Sequence, residues 1–452
     1  MKKTFTVVLS TALLVGSALL PGSTGVRAQE TPTARPNIVL IVSDDQRWDS
    51  ISEEYTPNVW NRLVVPGVSF RNAFVPNPLC CPSRATILTG RYSHRTGVWA
   101  NEAPYGGFDV FDDHDTIATD LHDAGYRTAL IGKYLNQYPE LNWTYVPPGW
   151  DRWFAIDTSE YYDYRAAADG ERSERFGFSP EDYSTEVLTQ RAVSFIDRTE
   201  QRGQPFFLYF APTAPHVPAI PYPEDWGRFS VGALPRPLSF GQVSTSHPIY
   251  LQQARWDSQR ITRAGMLHER QLDAAYGVDR AVGRILDAAP PNTIVVYLSD
   301  NGMLWGEHRW LGKGVPYNES IRVPIVMAAL DGRPMPDPDR IVLNVDIRAT
   351  LGSAAGVSPK TQGRDWFDPT WTRDGFVLEH LGIDPPKVPS YCGVRTTEWM
   401  YVRYVTGEEE LYDEVADPFE MENVIAEQPL IAAELRARAQ LHCNPAPPGF
   451  SW

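Results

Sequence analysis

The chain has 452 residues, 42% hydrophobic and 21% charged, a balance that suits a globular protein with room for one large domain and a smaller one. Its 41 Lys and Arg against 56 Asp and Glu give a formal net charge of −15, which argues against nucleic acid or an acidic membrane surface as its main partner. An anionic ligand would have to be met by local basic residues against that background.

Residues 1–28 have the layout of an export signal. Lys2 and Lys3 form a basic start, Val7 to Leu20 is mostly apolar, and Val26-Arg27-Ala28 suits a small-residue cleavage site. The apolar run is short for a membrane span and no second candidate follows, so no integral span is expected. The mature chain is expected to begin near Gln29 and to reach the periplasm or the extracellular space.

Asn37 to Val42 then reads as a short, doubly buried strand that ends in Ser43-Asp44-Asp45. Thr56-Pro57 opens a helix to about Val65. Val68 to Phe74 reads as a strand, Thr116 to Ala124 as a helix, and Arg127 to Ile131 as a strand running into Gly132-Lys133. Glu181 to Arg198 has helical spacing. Pro205 to Phe210 is a strand followed by Ala214-Pro215-His216. Met266 to Ala288 is a long helix, and Thr293 to Leu298 a strand ending in Ser299-Asp300-Asn301. Val323 to Ala329 adds a strand and Asp346 to Ala355 a helix. The alternation predicts an α/β fold with a large, mostly parallel sheet flanked by helices. Polar residues repeatedly follow strand ends, the edge where open α/β sheets place their sites.

Two stretches break the alternation: Leu135 to Asp182, rich in Tyr and Trp, and the Pro-rich Val217 to Gly265. Each either walls a pocket or decorates the surface. Beyond about Pro359 short antiparallel strands and a closing helix over Leu430 to Leu441 predict a smaller α+β subdomain. The expected division is 36–359 for the main domain and 360–452 for the C-terminal one.

The stretch Leu79-Cys80-Cys81-Pro82-Ser83-Arg84 to Gly90 reads as a reactive site at the mouth of a helix. Pro82 suits the first helical position and Gly90 a stop, which puts Cys80 just outside the N-terminus, where free N–H groups favour negative charge. Arg84 adds a fork suited to a tetrahedral oxyanion. The other reading of Cys80-Cys81 is a vicinal pair capping an ordinary helix. Asp44-Asp45 and Asp300-Asn301 offer hard oxygen ligands of the kind that select Ca²⁺ or Mg²⁺ over zinc, although both are also turn sequences.

Cys80, Pro82, Ser83 and Arg84, followed by Thr89-Gly90, resemble the signature of the type I sulfatases, a branch of the alkaline-phosphatase superfamily. The resemblance implies that a formylglycine-generating enzyme oxidises Cys80 to formylglycine, whose hydrate attacks sulfur and displaces the alcohol. It implies one divalent cation, Ca²⁺ ahead of Mg²⁺, on Asp44, Asp45, Asp300, Asn301 and the oxidised Cys80. It makes Lys133, His216 and Lys313 sulfate contacts, with His216 the proton donor to the leaving group. Arg84 joins the catalytic set. Many relatives carry a histidine where this chain has Leu135, which leaves Asn136 as a substitute substrate contact.

With Cys80 consumed as the aldehyde, Cys392 and Cys443 are the expected disulfide in an oxidising compartment and Cys81 a buried free thiol; the alternative leaves Cys392 and Cys443 reduced and apart. His94 and His308 are expected to be satisfied structural histidines. The glucosamine 6-sulfatases are the branch most resembled, through Cys80-Cys81, Lys133-Tyr134-Leu135-Asn136 and Pro215-His216. A sulfated carbohydrate such as a glycosaminoglycan is then the expected substrate, with aryl sulfates as surrogates. The alternatives are a phosphate or phosphonate ester hydrolase of the same superfamily, and an inactive glycan-binding relative.

Overall fold

The computed structural model describes residues 35–452 apart from 139–142, 157–158, 230–233 and 384–387, together with Met1, Lys3, Thr4 and Thr6. Apart from those four positions, the export signal expected over residues 1–28 lies outside the described residues. None of the helices described is long and apolar enough to cross a membrane.

In chain order the elements that build the site are β1 (Asn37–Ser43), β2 (Val68–Ser69), β3 (Asn72–Phe74), α1 (Cys80–Thr89), α2 (Ile117–Asp123) and β4 (Arg127–Lys133). Next come β5 (Arg152–Ile156), β6 (Arg165–Ala168), β7 (Arg172–Arg175), α3 (Ser184–Glu200) and β8 (Phe206–Ala211). The long helix α4 (Ser258–Ala288) leads to β9 (Thr293–Ser299), β10 (Leu304–Trp305), β11 (Leu311–Gly312), the short α5 (Asn318–Ile321), β12 (Ile325–Ala329), β13 (Ile341–Leu343) and α6 (Ile347–Ala354). The C-terminal part holds β14 (Gly375–His380), β15 (Tyr391–Thr396), β16 (Trp399–Tyr404), β17 (Glu409–Asp413) and α7 (Pro429–His442).

The main sheet has nine strands in the order β2-β12-β9-β1-β8-β4-β5-β6-β7. Its five central strands, β9 to β5, run parallel, and the strands flanking them on both sides are antiparallel. The sheet is therefore mixed, with parallel pairing confined to the part that carries the site. Strand β1 lies at its centre and is buried on both faces. Ile38, Leu40 and Val42 pack towards α1, α2 and α6, while Val39 and Ile41 pack towards α3 and α4.

The strand expected from Val68 to Phe74 is in fact two. β2 closes one edge of the main sheet, whereas β3 pairs with β13 elsewhere. Part of the Tyr- and Trp-rich stretch after Leu135 extends the other edge as β5, β6 and β7.

Strands β14 to β17 form a separate four-stranded antiparallel sheet, on which α7 packs Leu435 and Ala439 against Val394 and Tyr401. Cys392 of β15 and Cys443, just past α7, form a disulfide with Cα atoms 6.2 Å apart. It ties residues 51 apart in sequence, which on the chain-entropy model stabilises by about 4 kcal/mol. A Cys392→Ala/Cys443→Ala variant is expected to lose about that much in urea denaturation. A loss below about 1 kcal/mol would show that α7 is held by packing alone.

Candidate active site

The carboxyl ends of β9, β1, β8 and β4 stand side by side, a row about 14 Å wide at the usual strand spacing. Each leads directly into a polar residue: Asp300 and Asn301 from β9, Asp44 and Asp45 from β1, His216 beyond β8, and Lys133 from β4. Ser43 pairs with Ser299, so Asp44 and Asp300 leave the sheet as neighbours. Asp45 has φ +62°, a left-handed conformation that turns the chain immediately after β1. Gly132 has φ +125°, and a Cβ there would lie 2.0 Å from the Ala211 carbonyl oxygen, so only glycine lets β4 deliver Lys133 so close to β8.

Helix α1 supplies Cys80. Cys80 is the first helical residue, with Leu79 at the cap and Pro82 third, rather than lying just outside the helix. Pro82 is tolerated there because the first-turn N–H groups have no partner within the helix, and the first such bond is Ser83 N–H to Leu79 O at 3.0 Å. Gly90 ends the helix with φ +64°.

The expected residues converge. The Cys80 thiol lies 3.7 Å from Asp44 Oδ1, and Lys313 Nζ donates to its Sγ at 2.7 Å. Lys313 also pairs with Asp45, and Lys133 with Asp44. Asn301 Nδ2 donates to Asp45 Oδ1 at 2.7 Å, and Asp45 N–H donates to Asp300 Oδ1 at 3.2 Å. His216 Nε2 stands 3.7 Å from Asp45 Oδ2.

Arg84 is fully buried beneath this layer. Its Nε donates to Asp300 Oδ2 at 2.8 Å, Nη1 donates to the Lys133 carbonyl at 3.0 Å, and Nη2 lies 3.6 Å from Asp44. Its fork thus faces the carboxylates, where it sets their positions and that of Lys133.

Burial alone would raise the pKa of the Asp44 carboxyl. Lys133, His216, Arg84 and Lys313 outweigh that and hold it well below the usual carboxylate range. Asp300 is pushed the other way by burial and by the Asp44 charge. Burial also pushes the Cys80 thiol up to about 12, against the pull of Lys133 and Lys313. At neutral pH the unmodified side chain is therefore a protonated thiol and a poor nucleophile.

The donor set suits a hard divalent cation. Asp44, Asp45, Asp300 and Asn301 are all buried and offer only oxygen, and Asn301 Oδ1 is buried with no hydrogen-bond partner among the described residues. Asp44, Asp45, Cys80 and His216 place their ligand atoms within 4.8 Å of one another.

One further expectation, that for His308, meets a different outcome. Nothing among the described contacts carries Asn136 to the cluster; its carbonyl accepts from Phe108 N–H and its Oδ1 is buried with no hydrogen-bond partner among the described residues. Leu135 is part of the apolar core, beside Tyr134 and Tyr138, so its position does not open into the cluster. Cys81 is a buried free thiol. His94 is satisfied by Glu379 at 2.7 Å, as expected of a structural histidine. His308 differs: both of its ring nitrogens are buried with no hydrogen-bond partner among the described residues.

The supporting residues were not visible beforehand. Tyr161 O–H donates to the His216 carbonyl at 2.7 Å, and Gln271 Nε2 to the Pro215 carbonyl at 3.2 Å. Trp305 Nε1 holds Gln271 Oε1 at 2.6 Å. The available signal was Gln271 itself, a polar residue on the apolar face of α4.

Comparison with known proteins agrees with this geometry. A model of the sulfatase family matches residues 36–357. The chain belongs to the sulfatase family. A model of the N-sulphoglucosamine sulphohydrolase C-terminal region matches residues 306–443. The chain is 36% identical over 335 residues to a Caenorhabditis elegans homolog of the extracellular sulfatase Sulf-1, a match taking in 71% of this chain and 47% of that relative. The chain thus spans about half the length of that sulfatase, and a match to a Drosophila melanogaster SULF-1 homolog covers 30% of it. Identity to the Homo sapiens N-acetylglucosamine-6-sulfatase is 30% over 414 residues, or 84% of this chain and 74% of the human one. The solved structure of BT4656 with its substrate D-glucosamine-2-N,6-O-disulfate aligns with a TM-score of 0.77 at 25% identity, covering 90% of the chain described here and 97% of the BT4656 chain.

Proposed function

We propose that this chain hydrolyses sulfate monoesters on a sulfated carbohydrate, with a nucleophile made by enzymatic oxidation of Cys80 to formylglycine. The observation that carries this is the position of Cys80 Sγ, between the Lys313 ammonium and the Asp44 carboxylate at the carboxyl edge of the parallel strands. Relatives named N-acetylglucosamine-6-sulfatase and the disulfate-bound BT4656 support a sulfated amino sugar as the substrate class. The Cys392–Cys443 disulfide and the relatives named extracellular sulfatase support export. We assign the chemistry to residues 36–359 and a buttressing role to 360–452.

Asp44, Asp45, Asp300, Asn301 and the oxidised Cys80 would hold the cation, calcium ahead of magnesium. When bound, it supplies positive charge beside the nucleophile. Lys133 and Lys313, now lying on Asp44 and Asp45, are the groups that would take the equatorial sulfate oxygens. Arg84 keeps Asp300, Asp44 and the Lys133 backbone in place.

His216 is the acid. Its Nδ1 sits against the Val217 carbonyl, which only an N–H can satisfy. The proton that the His216 imidazolium gives up is therefore the one on Nε2, the nitrogen facing Asp45; it passes to the departing alcohol oxygen and leaves the neutral Nδ1–H imidazole.

A panel of sulfate and phosphate esters on purified protein tests the reading. Sulfate-ester turnover should dominate; dominant phosphate-ester turnover, or binding of sulfated sugars without turnover, would overturn it. His216→Ala should lose about 10²–10⁴-fold on a sugar sulfate, whose alkoxide needs the proton, and much less on an activated aryl sulfate. Equal losses on both would remove His216 as the acid.

A further inference from the structure

Away from Cys80, one imidazole and two carboxylates meet in a closed space. His308, Glu319 and Glu420 place their ligand atoms within 4.8 Å of one another. His308 and Glu420 are 0% exposed and Glu319 8%. Both ring nitrogens of His308 and Glu319 Oε2 are buried with no hydrogen-bond partner among the described residues, and the Glu420 carboxyl lies against that of Glu414. His308 lies between β10 and β11, Glu319 lies on α5, and Glu420 lies in the loop after β17.

Two of the three residues are held in place by other contacts. Glu420 Oε2 accepts from Asn318 N–H at 3.0 Å, and the Glu420 carbonyl is 3.0 Å from Nε2 of His247. The His308 ring stacks on Tyr317 at 4.2 Å, and its backbone N–H donates to the Ser239 carbonyl at 2.9 Å. His247, alongside, has both ring nitrogens engaged, by Ser244 N–H and by Glu420 O. Of these two imidazoles, His308 has neither ring nitrogen partnered among the described residues, and it stands beside two carboxyl groups.

The charge count points the same way. Glu307, Glu319, Glu414 and Glu420 are buried around this space, and the buried guanidinium groups near them are those of Arg47 and Arg395. Arg47 is committed to Glu307 at 2.6 Å, and Arg395 to Glu414 at 2.8 Å. Arg322, half-buried, lies over the Trp48 ring and donates to the Arg71 carbonyl. Among the described residues, neither Glu319 nor Glu420 has a direct ion-pair partner of its own. Two unpaired carboxylates in the interior cost several kcal/mol unless neutralised, and one divalent ion matches the shortfall.

We propose that His308, Glu319 and Glu420 form a second, structural metal site that takes a divalent transition ion, zinc foremost. One imidazole nitrogen with two carboxylate oxygens is a borderline donor set, unlike the oxygen-only set beside Cys80. The ion would join the β10–β11 turn leading to Lys313, helix α5 just beyond it, and the distant loop after β17. It would thereby lock the Lys313 segment to the C-terminal sheet, whatever chemistry takes place at Cys80.

The test is diffraction from crystals of the full chain grown with Zn²⁺, collected across the zinc absorption edge. An anomalous peak bounded by His308, Glu319 and Glu420 is expected. Water at that position, or a peak beside Cys80 alone, would overturn the proposal. In solution, wild-type protein dialysed against Zn²⁺ should retain one zinc equivalent that Glu420→Gln lacks, together with a lower melting temperature in the variant. Equal zinc content in folded wild type and Glu420→Gln would also overturn it. If the variant does not fold, the anomalous map of the wild type decides alone.

Discussion

Cys80→Ser is expected to lose at least about 10⁴-fold in sulfate-ester turnover while keeping its fold, the scale on which removal of a nucleophile acts. The side chain is buried and its sulfur lies against Lys313 and Asp44, polar partners that a hydroxyl also suits, so oxygen in its place removes little packing. Melting temperature and circular dichroism should match the wild type. The variant should still bind sulfated sugar, because Lys133, Lys313 and His216 are unchanged. Turnover within about tenfold of wild type would contradict the assignment of Cys80, since a serine there cannot be oxidised by a route that starts from a thiol.

Arg84→Ala is expected to destabilise the protein by about 3–5 kcal/mol, the range seen when one partner of a buried ion pair is removed. The guanidinium contacts Asp300 and the Lys133 carbonyl and stands beside Asp44, all away from water. Without it two buried carboxylates face each other. Added Ca²⁺ should restore part of the loss, because a cation on those carboxylates neutralises the same charge. Urea denaturation with and without Ca²⁺ measures both effects. A loss under about 1 kcal/mol would mean that Lys133 and Lys313 alone hold the cluster together. Arg84→Lys keeps the charge but loses the fork, and should fall between the two.

Much of the site could be read beforehand because its residues follow strand ends. A doubly apolar run such as Asn37 to Val42 marks a buried strand, and the polar residues next in sequence mark where it stops. Strand direction was not legible. Ile325–Ala329 has the same apolar character as the parallel strands but runs antiparallel to β9, and periodicity carries no direction. The split between Val68–Ser69 and Asn72–Phe74 was hidden for the same reason, since both halves are apolar and only tertiary pairing separates them.

Helix α4 begins at Ser258, well before Met266, with Asp257 accepting from Arg260 N–H as its cap. Its first turns are exposed and polar, so the apolar spacing that announces a helix starts late. The departure at Leu135 read as a missing site residue. The fold makes it a core residue, and only the direction of a side chain in the turn after β4 distinguishes the two. His308 likewise looked like an ordinary structural histidine. That its ring nitrogens face Glu319 and Glu420 depends on a loop more than a hundred residues further along the chain.

The most direct measurement is mass spectrometry of the tryptic peptide Asn72–Arg84 from protein made in its native host. An aldehyde at position 80 with Cys81 still a thiol is the predicted result. An intact Cys80 thiol in folded protein that turns over sulfate esters would contradict the account, because the buried thiol, held near pKa 12, would then have to serve as the nucleophile unaided.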